Sequence, residues 1–251
     1  MGGTDSASEV ERIAERGSLA KLRACIEKGG DPSWCNKLGQ NLAFLAAQRP
    51  PELGEAADIC CFLAECHGVH CDIADLALRQ TPLFFAVASG STDVTAYLLG
   101  WRAEVNHADR NAQTPLFYAA RHGHSTCARL LLEARADACA RDVNGQVALH
   151  YAVKHSHPDC ANALLEAAQN ADARDKLGRT ALFCAVDEAC CMLLLRAKCC
   201  VDAPDLNGQS ALFSAARHGM DAKVQLLLSQ RARVDLQDEH CQTSLFYATD
   251  A

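Results

Sequence analysis

Short apolar stretches recur along the chain at nearly constant spacing, each framed by polar residues. They begin at Asn41 ("NLAFLAA"), Thr81 ("TPLFFAV"), Thr114 ("TPLFYAA"), Val147 ("VALHYAV"), Thr180 ("TALFCAV"), Ser210 ("SALFSAA") and Thr243. The steps between these positions are 40, 33, 33, 33, 30 and 33 residues. Self-similarity at such a period is typical of repeat proteins, in which each unit is one supersecondary element.

Each unit predicts a turn followed by two short helices. Turn signals such as "DVNGQ" (142–146) contain a glycine that supplies the positive φ of a tight turn. In the third unit, Thr114 is predicted to cap the first helix with its hydroxyl, Pro115 to occupy the first helical position and Gly123 to end it. A second helix is predicted over 125–134. Such short helices are marginal alone, so each pair must pack against its neighbours.

This pattern resembles the ankyrin-repeat family. The family's order of Asp, turn Gly, Thr-Pro-Leu-His, Ala-Ala pair, Gly-His and Leu-Leu run is visible in "RNAQTPLFYAARHGHSTCARLLLEARADACARD", residues 110–142. The resemblance covers roughly Leu19 to the end of the chain and recurs six or seven times. It implies an all-α ankyrin-repeat solenoid of helix-turn-helix units joined by short β-hairpin-like loops.

Three departures from the family pattern carry structural expectations. Only His150 keeps the family's histidine, and phenylalanine replaces it elsewhere, which predicts aromatic packing instead of inter-repeat hydrogen bonds. Arginine or lysine replaces the glycine that the family places in the left-handed conformation after the second helix. Each such residue is expected to cost about 1 kcal/mol of stability. The fifth unit is three residues short and lacks the Gly-His turn, so a tightened or distorted repeat is expected. The substituted positions are Phe84, Phe117, Phe183, Phe213 and Phe246, and Arg102, Arg135, Lys198 and Arg231.

The domain organisation follows from the repeat. Residues 1–16 are predicted to form an N-terminal tail and the start of a cap, and 17–36 an N-terminal capping half-repeat. The ankyrin-repeat domain spans 37–251, with repeats at about 37–75, 76–109, 110–142, 143–175, 176–205, 206–238 and a partial repeat at 239–251. A surplus around 48–58 predicts an extended loop. Since the sequence stops inside a repeat, we expect either an open C-terminal face for a partner or a longer protein.

Composition and charge exclude several function classes. The net charge of -7 and the absence of any Lys/Arg run argue against a nucleic-acid partner. No apolar run is long enough to span a membrane and no secretory signal is present, which predicts a cytoplasmic protein without excluding the nucleus. Fifteen cysteines, an odd number with adjacent pairs, make a poor disulfide framework, so they are predicted to be reduced core residues.

The densest group of candidate metal ligands lies in "CCFLAECHGVHCD", residues 60–72. Cys61, Cys66, His67, His70 and Cys71 are suited to zinc by type. None of the Cys-x-x-Cys spacings occurs, and the segment aligns with an ordinary helix end and loop. No metal or other cofactor is therefore expected, although a cysteine-based metal or redox sensor stays an alternative.

Catalytic chemistry is not indicated either. His122, His155 and His218 recur at equivalent positions because the repeat places them there. Cys127 and Cys160 fall on the apolar stripe of a second helix, where core packing is the simpler interpretation. No phosphate-binding loop, Ser-His-Asp arrangement or set of paired carboxylates stands out, so the protein is not expected to be an enzyme.

Two positions match modification patterns. "MGGTDS" fits Met-Gly-x-x-x-Ser, which makes Gly2 a candidate for N-myristoylation and a weak membrane contact. The family resemblance implies a second candidate, because some family members are hydroxylated on an Asn after the second helix. Asn106 occupies that place, whereas Cys139 and Asp172 hold the related positions.

The resemblance also implies where a partner protein binds, since family members usually use the turn tips and the exposed ends of the first helices as a concave surface. The predicted partner-binding residues are Arg110, Asn111, Gln113, Arg121, His122, Asn144, Gln146, Lys154, His155, Lys176, Arg179, Asn207, Gln209, Arg217 and His218. Six of these are Arg or Lys, against Asp187 and Glu188 at corresponding positions. The surface is therefore predicted to favour an acidic segment of a partner protein.

The sequence as a whole predicts a non-catalytic protein-protein interaction module, a scaffold or adaptor that holds an unidentified partner protein on the concave ankyrin groove. Two alternatives stay open. The repeats are the recruiting or regulatory part of a longer enzyme whose catalytic domain is absent here, or the cysteines form a metal or redox sensor.

Overall fold

The computed structural model describes residues 3–49, 54–66 and 69–248. Within them the chain is helical, and its only β pairing is the isolated bridge between Cys35 and Asn41. The α-helices α1 to α14 are, in order, Gly3–Arg16, Leu19–Glu27, Leu42–Ala47, Ala56–Glu65, Pro82–Ala88, Thr92–Gly100, Pro115–His122, Ser125–Glu133, Ala148–Lys154, Pro158–Ala168, Ala181–Cys184, Glu188–Arg196, Ala211–Arg217 and Asp221–Ser229, and a 3-10 helix follows at Ser244–Tyr247.

The chain divides into two compact units. The first comprises Met1–Ala119 and Thr126–Asp137, and the second Ala120–Ser125 and Ala138–Ala251. In the first unit α3 packs on α4 and α5, and α6 packs on α4 and α5. In the second unit α9 packs on α10 and α11, α11 on α13, and α10 on α12. First helices therefore stack on first helices and second on second, as expected for a solenoid.

The N-terminal segment is helical. Residues 3–16, which the sequence assigns to a tail and the start of a cap, form α1, which packs on α2 and α3. Val10, Ala14 and Leu22 are fully buried there. The expected long loop of the first repeat lies partly outside the described residues, since it includes 50–53.

Aromatic side chains fill the stacked first helices, as predicted. Phe44, Phe84, Phe117 and Phe213 are among the largest fully buried side chains. Phe84 meets the ring of Tyr118 edge-on, with centroids 5.3 Å apart, a geometry favoured by ring quadrupoles. Phe246 departs from the expectation because it is 68% exposed, with no further first helix packed over it among the described residues.

The predicted backbone conformations at turns and helix ends are confirmed. Gly145, Gly178 and Gly208 adopt φ of 72°, 78° and 79° in the turns. The cations that replace glycine after the second helices also lie in the left-handed region, which non-glycine residues seldom adopt. Their φ angles are 62° at Arg102, 67° at Arg135, 59° at Lys198 and 63° at Arg231.

The predicted cap at Thr114 is wrong. Helix α7 does begin at Pro115, but the Thr114 hydroxyl has no hydrogen-bond partner. The N–H of Phe117, which a capping hydroxyl would bind, donates instead to the Thr114 carbonyl at 3.0 Å. The hydroxyls of Thr81 and Ser210 are buried and unpartnered in the same way. In each case phenylalanine stands three residues later, where the family's histidine would be.

The fifth repeat is distorted, as predicted. Its first helix, α11, has one turn of four residues, whereas α9 and α13 have seven each. The buried Lys223 of α14 compensates for the missing turn, because its Nζ donates to the carbonyls of Ala185 at 2.7 Å and Phe183 at 3.3 Å. Val94, Cys127, Cys160 and Cys190 hold the equivalent position in the preceding repeats.

Candidate functional site

An aspartate organises each turn at the edge of the predicted binding surface. In the third repeat, Asp109 Oδ1 accepts from the backbone N–H of Asn111 at 2.8 Å and of Gln113 at 2.9 Å. The same pair of bonds to residues two and four positions later recurs at Asp142, Asp175, Asp205 and Asp238. Because every turn has its own side-chain anchor, the tips present fixed backbone geometry.

Tyrosine hydroxyls secure the second carboxylate oxygen of several of these aspartates. Tyr151 donates to Asp142 at 2.7 Å, and Tyr247 to Asp238 at 2.7 Å. Burial by itself would raise the pKa of Asp238, but the donors Tyr247 and Gln209 and the backbone N–H groups outweigh it and hold that pKa well below its usual range. The carboxylate therefore stays ionised, and the turn geometry is insensitive to mild acid.

Two of the three glutamines predicted to contact a partner, Gln113 and Gln209, serve within the fold, whereas Gln146 is only partly buried. Gln113 is buried, with 4% of its surface exposed. Gln209 donates through Nε2 to Asp238 at 3.0 Å and accepts from Arg217 at 3.0 Å, so it links one repeat to the next. Gln40 makes the same link to Asp75 at 3.1 Å. The amides of Gln40 and Gln209 are structural bridges, because the next aspartate lies within reach of each.

The cations of the predicted surface fall into two groups. Arg121 lies over the Tyr151 ring at 4.8 Å from its centroid, Arg217 lies over Tyr247 at 4.5 Å, and Arg179 forms a two-pronged ion pair with Asp175 at 2.8 and 2.9 Å. Lys154 and Lys176 are exposed, and within the described residues their amines form no hydrogen bond or salt bridge.

The remaining predicted residues are solvent-accessible. Arg110, Asn111, His122, Asn144, His155, Asn207 and His218 are exposed. Arg110, Asn111 and Gln113 belong to the first unit and all the other predicted residues to the second. The second unit therefore presents a surface of its own, which we call the basic face: Arg121, Lys154, Lys176, Arg179 and Arg217 with the adjacent Asn144 and Asn207.

Two histidines beside the basic face have lowered pKa values. His122 stacks on His124 with ring centroids 6.0 Å apart, and burial, reinforced by His124 and Arg121, lowers the pKa of His122. Burial and the neighbouring Lys154 lower the pKa of His155. The positive charge of the basic face therefore comes from arginine and lysine. Asp187 caps α12, since its Oδ2 accepts from the Cys190 N–H at 3.2 Å.

The cysteine and histidine cluster lacks the geometry of a metal site in the described residues. His67 lies outside them, and no group of three or more His, Cys, Asp or Glu side chains there could hold a metal ion. Burial raises the pKa of Cys66 and Cys71, and raises that of the nearby Cys60 to about 12. These raised pKa values make Cys60, Cys66 and Cys71 poor metal ligands at neutral pH. All fifteen cysteines are free, but five of them are exposed, so the prediction that they are core residues holds only for the others.

Of the two candidate modification positions, only Asn106 lies within the described residues. Gly2 lies outside the described residues. Asn106 is exposed at the loop after α6, where its amide donates to the Arg135 carbonyl at 3.3 Å and its oxygen accepts from the Asp137 N–H at 2.8 Å. This side chain ties one repeat to the next, as Asp172 does by accepting from the Cys200 N–H at 2.9 Å. Hydroxylation of Asn106 stays a prediction.

Comparison with known proteins agrees with the architecture. Family profiles described as ankyrin repeats in three copies match residues 102–175 and 168–238, and a single ankyrin repeat matches 79–110. A search of curated proteins found no match. No helix in the described residues is long and apolar enough to cross a membrane.

Among solved structures, one similar chain is the crystal structure of the ankyrin repeat domain of Bcl-3, described as a unique member of the IkappaB protein family. The two share 30% sequence identity and a TM-score of 0.70, over 88% of this chain and 95% of that one. Repeats of this kind are protein-interaction modules, and the stacked helix pairs, anchored turns and matched profiles together show that this chain belongs to the ankyrin-repeat family.

Proposed function

We propose that the protein is a non-catalytic scaffold or adaptor that holds an acidic segment of a partner protein on the basic face of its second unit. The observation that carries this proposal is the set of exposed amines of Lys154 and Lys176, which have no salt-bridge partner among the described residues. Arg121 and Arg217 add charge held in place by their stacked tyrosines.

Rigidity supports the proposal as well as charge. The turn tips that carry Asn144, Lys176 and Asn207 are each fixed by an aspartate, so a partner segment pays little to order them. Asn144 and Asn207 are exposed and offer amide groups to the backbone of an extended segment. Unpaired cations beside ordered amides are suited to carboxylate-rich chains. A cytoplasmic or nuclear location is part of the proposal, consistent with fifteen free thiols.

The test is an affinity capture from cell lysate at low and high salt, followed by identification of the retained proteins. Wild type is compared with the triple variant Arg121→Glu, Lys154→Glu, Arg217→Glu. The matched control is Lys21→Glu, Arg129→Glu, Arg196→Glu, at exposed positions of α2, α8 and α12, because it changes the net charge equally. Circular dichroism checks that all three proteins fold.

We expect a partner that both wild type and control retain, that the basic-face variant loses and that high salt weakens. Acidic segments should be enriched in that partner. If the basic-face variant and the control bind it equally well, the basic face is not the binding surface. If both variants lose it, the net charge of the protein and not this face controls binding.

A further inference from the structure

The shortened fifth repeat leaves an open cleft on the second unit. Helix α11 ends at Cys184, and the chain then turns away with an extended Ala185 (φ -65°, ψ 125°) and an exposed Val186. The resulting cleft has a volume of about 460 Å³ and is lined by Lys154, Arg179, Phe183, Cys184, Ser214 and Met220, among others. That volume lies within the range of about 300 to 1,000 Å³ that ligand pockets occupy.

Two substitutions within the repeat pattern also contribute to the cleft. Tyr118, Tyr151 and Tyr247 occupy the fifth position of their apolar stretches. At the same position the fifth repeat has Cys184 and the sixth has Ser214, both of which line the cleft. Each is far smaller than a tyrosine, so the cleft occupies space that an aromatic ring fills in the flanking repeats.

A cation of the preceding repeat normally covers that ring. Arg121 lies over Tyr151 and Arg217 lies over Tyr247, at 4.8 and 4.5 Å from the ring centroids. Lys154 stands at the corresponding position before Cys184, and both residues line the cleft. Lys154 is therefore a cation placed for a ring that this chain does not supply.

The rest of the lining combines apolar walls with further positive charge. Phe183 and Met220 provide apolar and polarisable surface suited to an aromatic ring. Arg179 lies at the same cleft, and Asp175 takes up only part of the Arg179 fork. A carboxylate next to the ring would therefore meet Lys154 and Arg179.

We propose that this cleft is the anchor site of the basic face, and that it takes an aromatic side chain of the partner protein with a carboxylate beside it. The inserted ring lies under Lys154, where the missing tyrosine would be, and the carboxylate faces Lys154 and Arg179. This inference rests on the proposed function, because it assigns the partner's anchor residue to a particular part of the basic face.

A substitution that copies the tyrosine of the flanking repeats can fill the cleft. Ser214→Tyr places a ring where Ser214 lies on α13, and Asp205 stands nine residues earlier, the spacing that joins Tyr151 to Asp142 and Tyr247 to Asp238. The variant is therefore expected to fold. Phe85→Tyr makes the equivalent substitution in the second repeat and serves as the matched control. Lys154→Gln removes the cation but keeps the cleft open.

The probe is the peptide acetyl-Gly-Ser-Phe-Glu-Glu-Ser-Gly-amide, titrated into ¹⁵N-labelled protein and followed by NMR chemical shifts. We expect saturable shifts at cleft residues such as Val186 and Met220, and binding at least about ten-fold weaker for Ser214→Tyr and Lys154→Gln but unchanged for Phe85→Tyr. Peptides with Phe replaced by Ala, or both Glu by Gln, should also bind at least about ten-fold weaker. A factor of ten corresponds to about 1.4 kcal/mol.

The inference is overturned if no peptide binds at millimolar concentration, if the alanine peptide binds as well as the phenylalanine peptide, or if Ser214→Tyr leaves peptide binding intact. Partner capture from lysate distinguishes failure of this inference from failure of the proposed function. If the partner is lost from the triple charge variant but retained by Ser214→Tyr, the basic face is correct and the cleft is not its anchor site. If Ser214→Tyr abolishes partner capture but the triple charge variant retains the partner, the inference is overturned together with the charge argument, because the triple variant also removes the Lys154 cation from the cleft.

Discussion

Replacing Thr81 by valine is expected to stabilise the protein. Thr81 has no exposed surface, and its hydroxyl has no hydrogen-bond partner. Its side chain makes no capping bond at the start of α5, so the substitution removes no observed interaction. Valine is compatible with this backbone, because Val147 occupies the equivalent position in the fourth repeat. The φ and ψ angles are -103° and 167° at Val147 and -97° and 167° at Thr81.

The magnitude follows from the cost of an unpaired buried polar group. Such a group costs about 1 to 3 kcal/mol, and exchanging the hydroxyl for a methyl also adds apolar burial. We expect Thr81→Val to raise the free energy of unfolding by about 1 kcal/mol. For a chain of this size that corresponds to a rise in Tm of about 2 to 4 °C.

Thr95→Val is the matched control, since Thr95 is also fully buried in the first unit. Its hydroxyl donates to the Ser91 carbonyl at 2.7 Å, so the same substitution should lower the free energy of unfolding by about 1 kcal/mol. Urea denaturation followed by circular dichroism measures both variants. Equal destabilisation by the two substitutions would refute the reasoning, because it would mean that Thr81 has a hydrogen-bond partner in solution.

Three further predictions concern buried groups. Lys223→Met should lower the free energy of unfolding by about 1 to 3 kcal/mol in urea denaturation, because it leaves the Phe183 and Ala185 carbonyls unpaired; unchanged stability would mean that burying the ammonium costs as much as its hydrogen bonds contribute. Burial lowers the pKa of His150 below 6.5, so the unfolded chain takes up its proton first and stability should fall as the pH drops through 6.5 towards that lower pKa. His150→Phe should make unfolding measured between about pH 7 and 5 less pH-dependent, and an identical slope would contradict this. Thiol labelling followed by mass spectrometry should modify the exposed Cys35, Cys61, Cys139, Cys200 and Cys241 in the native state, whereas the buried Cys60, Cys127, Cys160, Cys190, Cys191 and Cys199 should react only on unfolding; fast labelling of the buried set would favour the redox-sensor alternative.

Much of the fold was predictable because it depends on neighbours in sequence. The spacing of the apolar stretches identified the repeat, and the turn glycines and the start of α7 at Pro115 followed from local backbone preferences. The left-handed conformation of Arg102 and Arg135 was predictable for the same reason, since the repeat fixes the backbone there whatever the side chain. The three missing residues of the fifth repeat likewise indicated its shortened first helix.

The surface was less predictable, because the role of a polar side chain depends on what faces it from the next repeat. Gln209 was expected to contact a partner, yet Asp238, 29 residues later, accepts its hydrogen bond. The only sequence signal for Lys223 is that a lysine stands at a repeat position otherwise held by cysteine or valine. Its carbonyl partners lie 38 and 40 residues away in the sequence, so their identity was not predictable.

The sequence by itself therefore determined the repeat period, the helix pairs and the backbone at the turns, since these follow from interactions within one unit. Only the tertiary structure decided which polar groups are paired, which stay orphaned like the Thr81 hydroxyl, and where the surface opens beside Cys184. The physical reason is that burial and hydrogen bonding are set by the stacking of successive repeats, which brings together residues about 30 to 40 positions apart.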